Sequence, residues 1–214
     1  MNRLDLRSRT LAACLSAVAG FVDVVGFLMT GGFFVSFMSG NSTRLGIGLA
    51  GGASVAAVAG GLILSFVAGV VLGASLGRIA RAQKETAILA LVTVLLVLAI
   101  LAHWMNLGVL AAMPLALAMG AQNAVFAENG EVSIGLTYMT GALVKLGKRL
   151  TVALWGGDKL GWLPYLLLWS GLLAGAILGA LSFAHFGPNA LAFAIAAMML
   201  LTGLSVATRR NLQS

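Results

Sequence analysis

Charge is scarce in this sequence. Of 214 residues 9% are charged, six of them acidic and 13 basic, and a single cysteine is present. A soluble domain spends about a quarter of its residues on charge, so that class is excluded. One cysteine rules out an intrachain disulfide and a thiolate metal cage. The stretch before Cys14 is charged and polar, so Leu11-Ala12-Ala13-Cys14 lacks the hydrophobic core of a lipoprotein signal, and Cys14 is expected in the core of the first span. His103 and His185 stand alone beside turns. No His/Asp/Glu set has metal spacing, no Gly-rich loop follows a strand, and no Ser-His-Asp grouping exists. No metal, no cofactor and no enzymatic activity is therefore expected. Basic residues do not interleave with aromatics, which argues against nucleic acid as a partner.

Apolar sequence is abundant: 60% of residues are hydrophobic, and the mean hydropathy is +1.04. Runs of about 20 apolar residues, the length that crosses a bilayer, occur repeatedly. They place full spans near residues 11–30, 54–76, 86–102, 107–126, 165–183 and 190–207. The expected fold is an all-α polytopic membrane protein with the lipid bilayer as its main partner.

One stretch is written twice. Ser36-Phe37-Met38-Ser39-Gly40-Asn41-Ser42-Thr43-Arg44-Leu45-Gly46 returns as Thr137-Tyr138-Met139-Thr140-Gly141-Ala142-Leu143-Val144-Lys145-Leu146-Gly147. Gly20 and Asp23 fall on Gly120 and Asn123, and Ala68 to Ala74 falls on Ala174 to Ala180. Three matches in one order point to two sequence-related halves, about 11–102 and 107–207, within a single transmembrane domain. Gly69, Gly73 and Gly77, like Gly171, Gly175 and Gly179, form stripes at four-residue steps. Such stripes let helix backbones approach closely in lipid, against each other or against a second subunit.

Two topologies compete. If the repeated stretch crosses fully, each half has four spans and the halves are parallel. If it is broken or re-entrant, each half has three full spans and the halves are inverted. Lys and Arg favour the cytoplasmic side of short loops. Inversion puts Arg3, Arg7, Arg9, Arg78, Arg81, Lys84, Arg209 and Arg210 on that side together, and leaves the loops at His103 and His185 without a cation. The inverted arrangement fits better, with both termini cytoplasmic.

The polar residues inside apolar sequence are the candidate site: Asp23, Ser39, Gly40, Asn41, Thr43, Arg44, Gln122, Asn123, Tyr138, Thr140, Gly141 and Lys145. An isolated carboxylate in hydrocarbon must be partnered or protonated. Asp23 reads as a proton- or cation-coupling group, as the partner of Arg44, or as a helix-terminus cap next to the Gly31-Gly32 break. Its counterpart Asn123 cannot titrate. A broken helix offers free N–H groups to an anion, and Arg44 and Lys145 would add one cation from each half.

Gly20-Phe21-Val22-Asp23, Phe37 to Gly46, Gly120-Ala121-Gln122-Asn123-Ala124 and Thr137-Tyr138-Met139-Thr140-Gly141 together resemble the YoaK-type bacterial membrane proteins, a domain of unknown function. The resemblance covers nearly the whole chain and implies a bacterial inner-membrane protein of about six spans, without a substrate. The residues themselves lead to a small secondary transporter or permease for a polar or anionic small solute, proton-coupled through Asp23. A passive channel or a non-transporting assembly protein is the alternative. A chain of 21.9 kDa is small for a complete transport path, which favours a homodimer.

Overall fold

The computed structural model describes residues 6–128, 131–132, 136–137 and 139–211. Eight α-helices occur among them: α1 (Leu6–Met29), α2 (Met38–Gly51), α3 (Ala53–Ala80), α4 (Lys84–Trp104), α5 (Met113–Gln122), α6 (Met139–Leu154), α7 (Leu163–Phe186) and α8 (Leu191–Asn211). Short 3-10 turns, Gly108–Ala112 and Asn123–Phe126, lengthen α5 at both ends. The one β feature among the described residues pairs Ala127–Glu128 with Glu131–Val132.

Apolar stretches long enough to cross a membrane are Arg7–Met29, Ala53–Trp104, Gly108–Phe126 and Leu163–Thr208. The second folds back on itself at Arg81, whose φ of 45° breaks the helix, and the fourth at Gly187, at φ 56°. Each therefore supplies two helices, and six elements span. Pro114 and Pro164 lie in the first turns of α5 and α7, where a missing N–H costs no helical hydrogen bond.

Helices α1 and α5 form the middle of the bundle, with Leu15, Ala19, Val22, Leu115 and Met119 fully buried. The glycine stripes place their neighbours. Gly171, Gly175 and Gly179 of α7 lie over the backbone of Ala13, Ala17 and Phe21 on α1; Gly69 and Gly73 of α3 lie over Leu117 and Ala121 on α5. Reciprocally, Gly20 faces the backbone of Leu172 and Gly120 that of Phe66. The stripes thus join α7 to α1 and α3 to α5, and α3 and α7 do not use them against each other. Gly77 is the exception and faces Lys84 and Ile88 of α4. Within each pair residue numbers rise together, so the paired helices run parallel. In lipid no water drives helices together, and close backbone approach supplies the dispersion contacts that hold them.

The two ends of the bundle differ in charge. At one end Arg7 pairs with Glu85 at 2.9 Å, Thr86 bonds Ser205 at 2.8 Å, and Lys84 donates to the carbonyl of Ala127. This basic end collects the start of α1, the α3–α4 turn, the end of α5 and the end of α8. At the other end Trp104 Nε1 donates to Asn189 Oδ1 at 2.9 Å. Helices α4 and α8 are therefore antiparallel. Cys14 is exposed on the outside of α1, contrary to the core position expected for it.

Helices α2 and α6 do not cross. At about 1.5 Å per residue, the 14 residues of α2 and 16 of α6 reach roughly 21–24 Å, short of a 30 Å hydrocarbon core. Helix α2 returns along the first half of α3, with Gly48 against Ala56 and Leu45 beside Gly60. Its start lies near Phe66, midway along α3. Helix α6 runs from its own start near Phe66 to Arg149, beside Gly161 before α7 at the basic end. One re-entrant segment thus dips in from each end of the bundle.

Candidate functional site

Chain that descends to mid-depth without helical hydrogen bonds must find internal partners, because lipid offers none. Residues 30–37 do so through three side chains. Gly31 and Gly32 take φ values of 68° and 118°, open to glycine and strained for other residues, and turn the chain inward. Thr30 Oγ1 accepts from Phe33 N–H at 3.0 Å and donates to the Gly26 carbonyl at 2.8 Å. Asp23 Oδ1 accepts from Val35 N–H at 2.9 Å and from Ser36 N–H at 2.7 Å. Asn41, fully buried, clamps Phe34 from both sides, Nδ2 donating to its carbonyl at 2.6 Å and Oδ1 accepting from its N–H at 3.0 Å. Gly40 lies against the rings of Phe34 and Phe37, where a Cβ would collide.

The second segment is held at the corresponding place. Asn123 Nδ2 donates to the Met119 carbonyl at 2.9 Å and to Thr137 Oγ1 at 3.2 Å. Asp23 therefore grips Ser36 and Asn123 grips Thr137, the first residues of the two matching stretches. Asn41 has no such twin, because Ala142 stands in its place, buried but unable to bridge.

The two segments meet. A cavity of about 290 Å³ is lined by Ser36, Phe37, Met38, Ser39 and Phe66 from the first half and by Thr137, Met139, Thr140 and Gly141 from the second. Helix α2 starts at its wall with no side-chain cap on Phe37, and α6 starts at the opposite wall with Met139. Among the described residues, four that carry hydroxyls line the space and no acid or base does. An aligned helix carries about half a positive charge at its N-terminus, so two such ends present about one unit to whatever occupies the cavity.

The sequence-derived candidates divide accordingly. Ser39, Thr140 and Gly141 line the cavity. Asp23 and Asn123 stand behind it and hold its walls, while Asn41 and Gly40 shape the descending loop. Gln122 is fully buried and reaches α1, donating Nε2 to the Leu15 carbonyl at 2.7 Å. Thr43 is exposed and bonds back to the Ser39 carbonyl at 3.3 Å. Arg44 does not pair with Asp23; its guanidinium lies over the Phe33 ring, 5.0 Å from the centroid. Lys145 is exposed on α6. The two cations expected to converge at mid-depth thus stay outside the cavity, each a turn or more beyond the helix start. Tyr138 lies outside the described residues. Phe66 escaped the sequence argument because nothing local marks it. Ser36 and Thr137 head the repeated stretch and were visible in it as matching hydroxyls.

Comparison with known proteins agrees that the chain is a membrane protein. The family described as protein of unknown function (DUF1275) matches residues 11–204. A UPF0700 transmembrane protein of Rhizobium meliloti (strain 1021) is 38% identical over 204 residues, 95% of this chain and 88% of its own. No solved structure matches.

Proposed function

This chain belongs to the family of proteins of unknown function DUF1275, and we propose that it is a small secondary transporter or permease of the bacterial inner membrane whose solute is a small monoanion. The observation that carries the reading is the cavity between the starts of α2 and α6, with hydroxyls in its wall and no charged side chain among the described residues. Two helix starts offer about one unit of positive charge, enough to balance a monoanion and too little for a dianion. At about 30 Å³ per water, the 290 Å³ cavity has room for a small solute with part of its hydration shell.

Asp23 supplies the coupling in this reading. Its carboxylate accepts two backbone N–H groups from the segment that lines the cavity. Bonds to a charged acceptor contribute about 1.5–3 kcal/mol each, and protonation weakens both and frees Ser36 to move. Asn123 holds the other wall without titrating. A proton taken up with the anion would leave the transported pair neutral.

The halves read as an inverted duplication. Gly69 on Leu117, Gly73 on Ala121 and Gly120 on Phe66 correspond to Gly175 on Ala17, Gly179 on Phe21 and Gly20 on Leu172. All six contacts are related by the same offsets, 100 along α1 and α5 and 106 along α3 and α7. With the basic end in the cytoplasm, Arg7, Arg9, Arg78, Arg81, Lys84, Arg149 and Lys159 lie toward that side among the described residues, with Arg44 toward the other, as the positive-inside rule favours.

Purified protein in liposomes tests the reading with formate, acetate, chloride and fluoride under an imposed pH gradient. Saturable, gradient-driven uptake of at least one is expected, together with its loss in Asp23→Asn while the variant still inserts and folds. Gradient-driven uptake by Asp23→Asn at the normal rate removes Asp23 from the mechanism. Flux that ignores the gradient in both proteins favours a passive channel through the same cavity.

A further inference from the structure

A second cavity, of about 490 Å³, opens at the basic end, between the first turns of α1 and the last turns of α8. It takes no part in the transport reading and stands whether or not that reading survives. Its floor is apolar, with Leu11 and Cys14 from α1 and Leu201 and Leu204 from α8; its mouth carries Arg7 and Glu85. Those two side chains pair at 2.9 Å and remain partly open, at 44% and 32% exposure. The groove exists because α1 touches α8 only sparsely here, whereas α8 packs closely on α4 and bonds it through Thr86 and Ser205.

We infer that this groove seats a zwitterionic phospholipid with a primary amine, a phosphatidylethanolamine, its phosphate on Arg7, its ammonium on Glu85 and an acyl chain along Leu11, Cys14, Leu201 and Leu204. The position selects a lipid: the floor belongs to spanning helices that face hydrocarbon, and the mouth lies at the end where the charged residues of this chain collect. The charge selects the headgroup. One cation and one anion side by side match a phosphate and an ammonium, each as a charge-assisted hydrogen bond. A singly anionic headgroup would satisfy Arg7 and set its phosphate against Glu85. A choline headgroup would bring a cation with no N–H to donate to the Glu85 carboxylate. The ion pair itself is half-exposed and contributes little to stability when the groove is empty, so a headgroup that bridges the two side chains has little to displace.

Cys14, the single cysteine of the chain, lies in the floor and reports occupancy directly. The experiment measures the rate at which a maleimide labels Cys14 in detergent-solubilised protein, with added short-chain phosphatidylethanolamine, phosphatidylglycerol or phosphatidylcholine at equal concentration. Phosphatidylethanolamine is expected to slow labelling about tenfold more than either of the others, the effect of one charge-assisted hydrogen bond. Glu85→Gln, which removes the anion and keeps Arg7, is expected to move the strongest protection to phosphatidylglycerol. Equal protection by the three lipids, protection by none, a Cys14 that does not label in lipid-free protein, or an unchanged order in Glu85→Gln would each overturn the inference.

Discussion

Replacing Gly175 by alanine tests the packing argument at its most sensitive point. A Cβ there would penetrate the carbonyl oxygen of Ala17, and that oxygen belongs to a helix backbone with no side-chain freedom to yield. At Gly179, one turn on, the Cβ would stand 2.8 Å from the Phe21 oxygen, and at Gly203 it would meet nothing within 4 Å. In every case alanine gains about 1 kcal/mol of helix propensity over glycine. Against this stands the cost of overpacking, typically about 1–3 kcal/mol and more where backbone must move. Separating α7 from α1 by even 1 Å would forfeit a quarter to a half of each dispersion contact along the seam. The series should therefore be graded: Gly203→Ala unchanged or stabilised by up to about 1 kcal/mol, Gly179→Ala destabilised by up to about 2, and Gly175→Ala by about 2 or more. On the scale of soluble domains of this size, about 2 kcal/mol lowers Tm by roughly 4–8 °C. Thermal unfolding in detergent followed by tryptophan fluorescence reads the order, and Gly69→Ala and Gly73→Ala in the other half should reproduce it. Equal Tm values for Gly175→Ala and Gly203→Ala would refute the placement of α7 on α1.

Three further outcomes follow from the site. Asn41→Ala strands the N–H and C=O of Phe34 in a buried loop, at about 1–3 kcal/mol for each group; loss of uptake together with a lowered Tm is expected, and a Tm equal to that of the unaltered protein would refute the clamp. Thr140→Val removes one hydroxyl from the cavity wall at nearly constant volume, so the anion concentration for half-maximal uptake should rise about tenfold with Tm unchanged, measured by initial rates in liposomes. On a Cys14→Ser background, cysteines at Gln83 and His185 should label from opposite faces of the membrane, Gln83 from the cytoplasm, because α4, α5 and α7 cross between them and α6 does not; labelling of both from one face would exclude the inverted arrangement.

Much of the fold was legible because hydrocarbon enforces it locally. A 20-residue apolar run with flanking cations can do little except span, and the first span foreseen at residues 11–30 is Leu6–Met29 in the structure. The re-entrant segments were legible as ambiguity only, since 14–16 helical residues mixed with hydroxyls fit either a tilted crossing or a half-helix. Contacts of α2 with the first half of α3 resolve it. Among site residues, Ser39 and Thr140 were found because the repeated stretch marks them. Arg44 and Lys145 were misplaced for a helical reason. Each stands six residues beyond the start of its helix, far enough along and around to leave the cavity, and a linear pattern does not show that rotation.

Sequence by itself determined that the chain resides in a membrane, where its six long apolar spans lie, and which stretches are polar inside it, because those properties depend on composition within a window of one helix. Tertiary structure alone decided who meets whom: α7 on α1 and α3 on α5 instead of stripe on stripe, Asp23 on the amides of Val35 and Ser36 instead of on Arg44, and two helix starts 101 residues apart facing one cavity. The physical reason is that lipid treats every apolar face alike. Which faces pair is settled by shape and by the few polar groups that must be satisfied, and both exist only once the chain has folded.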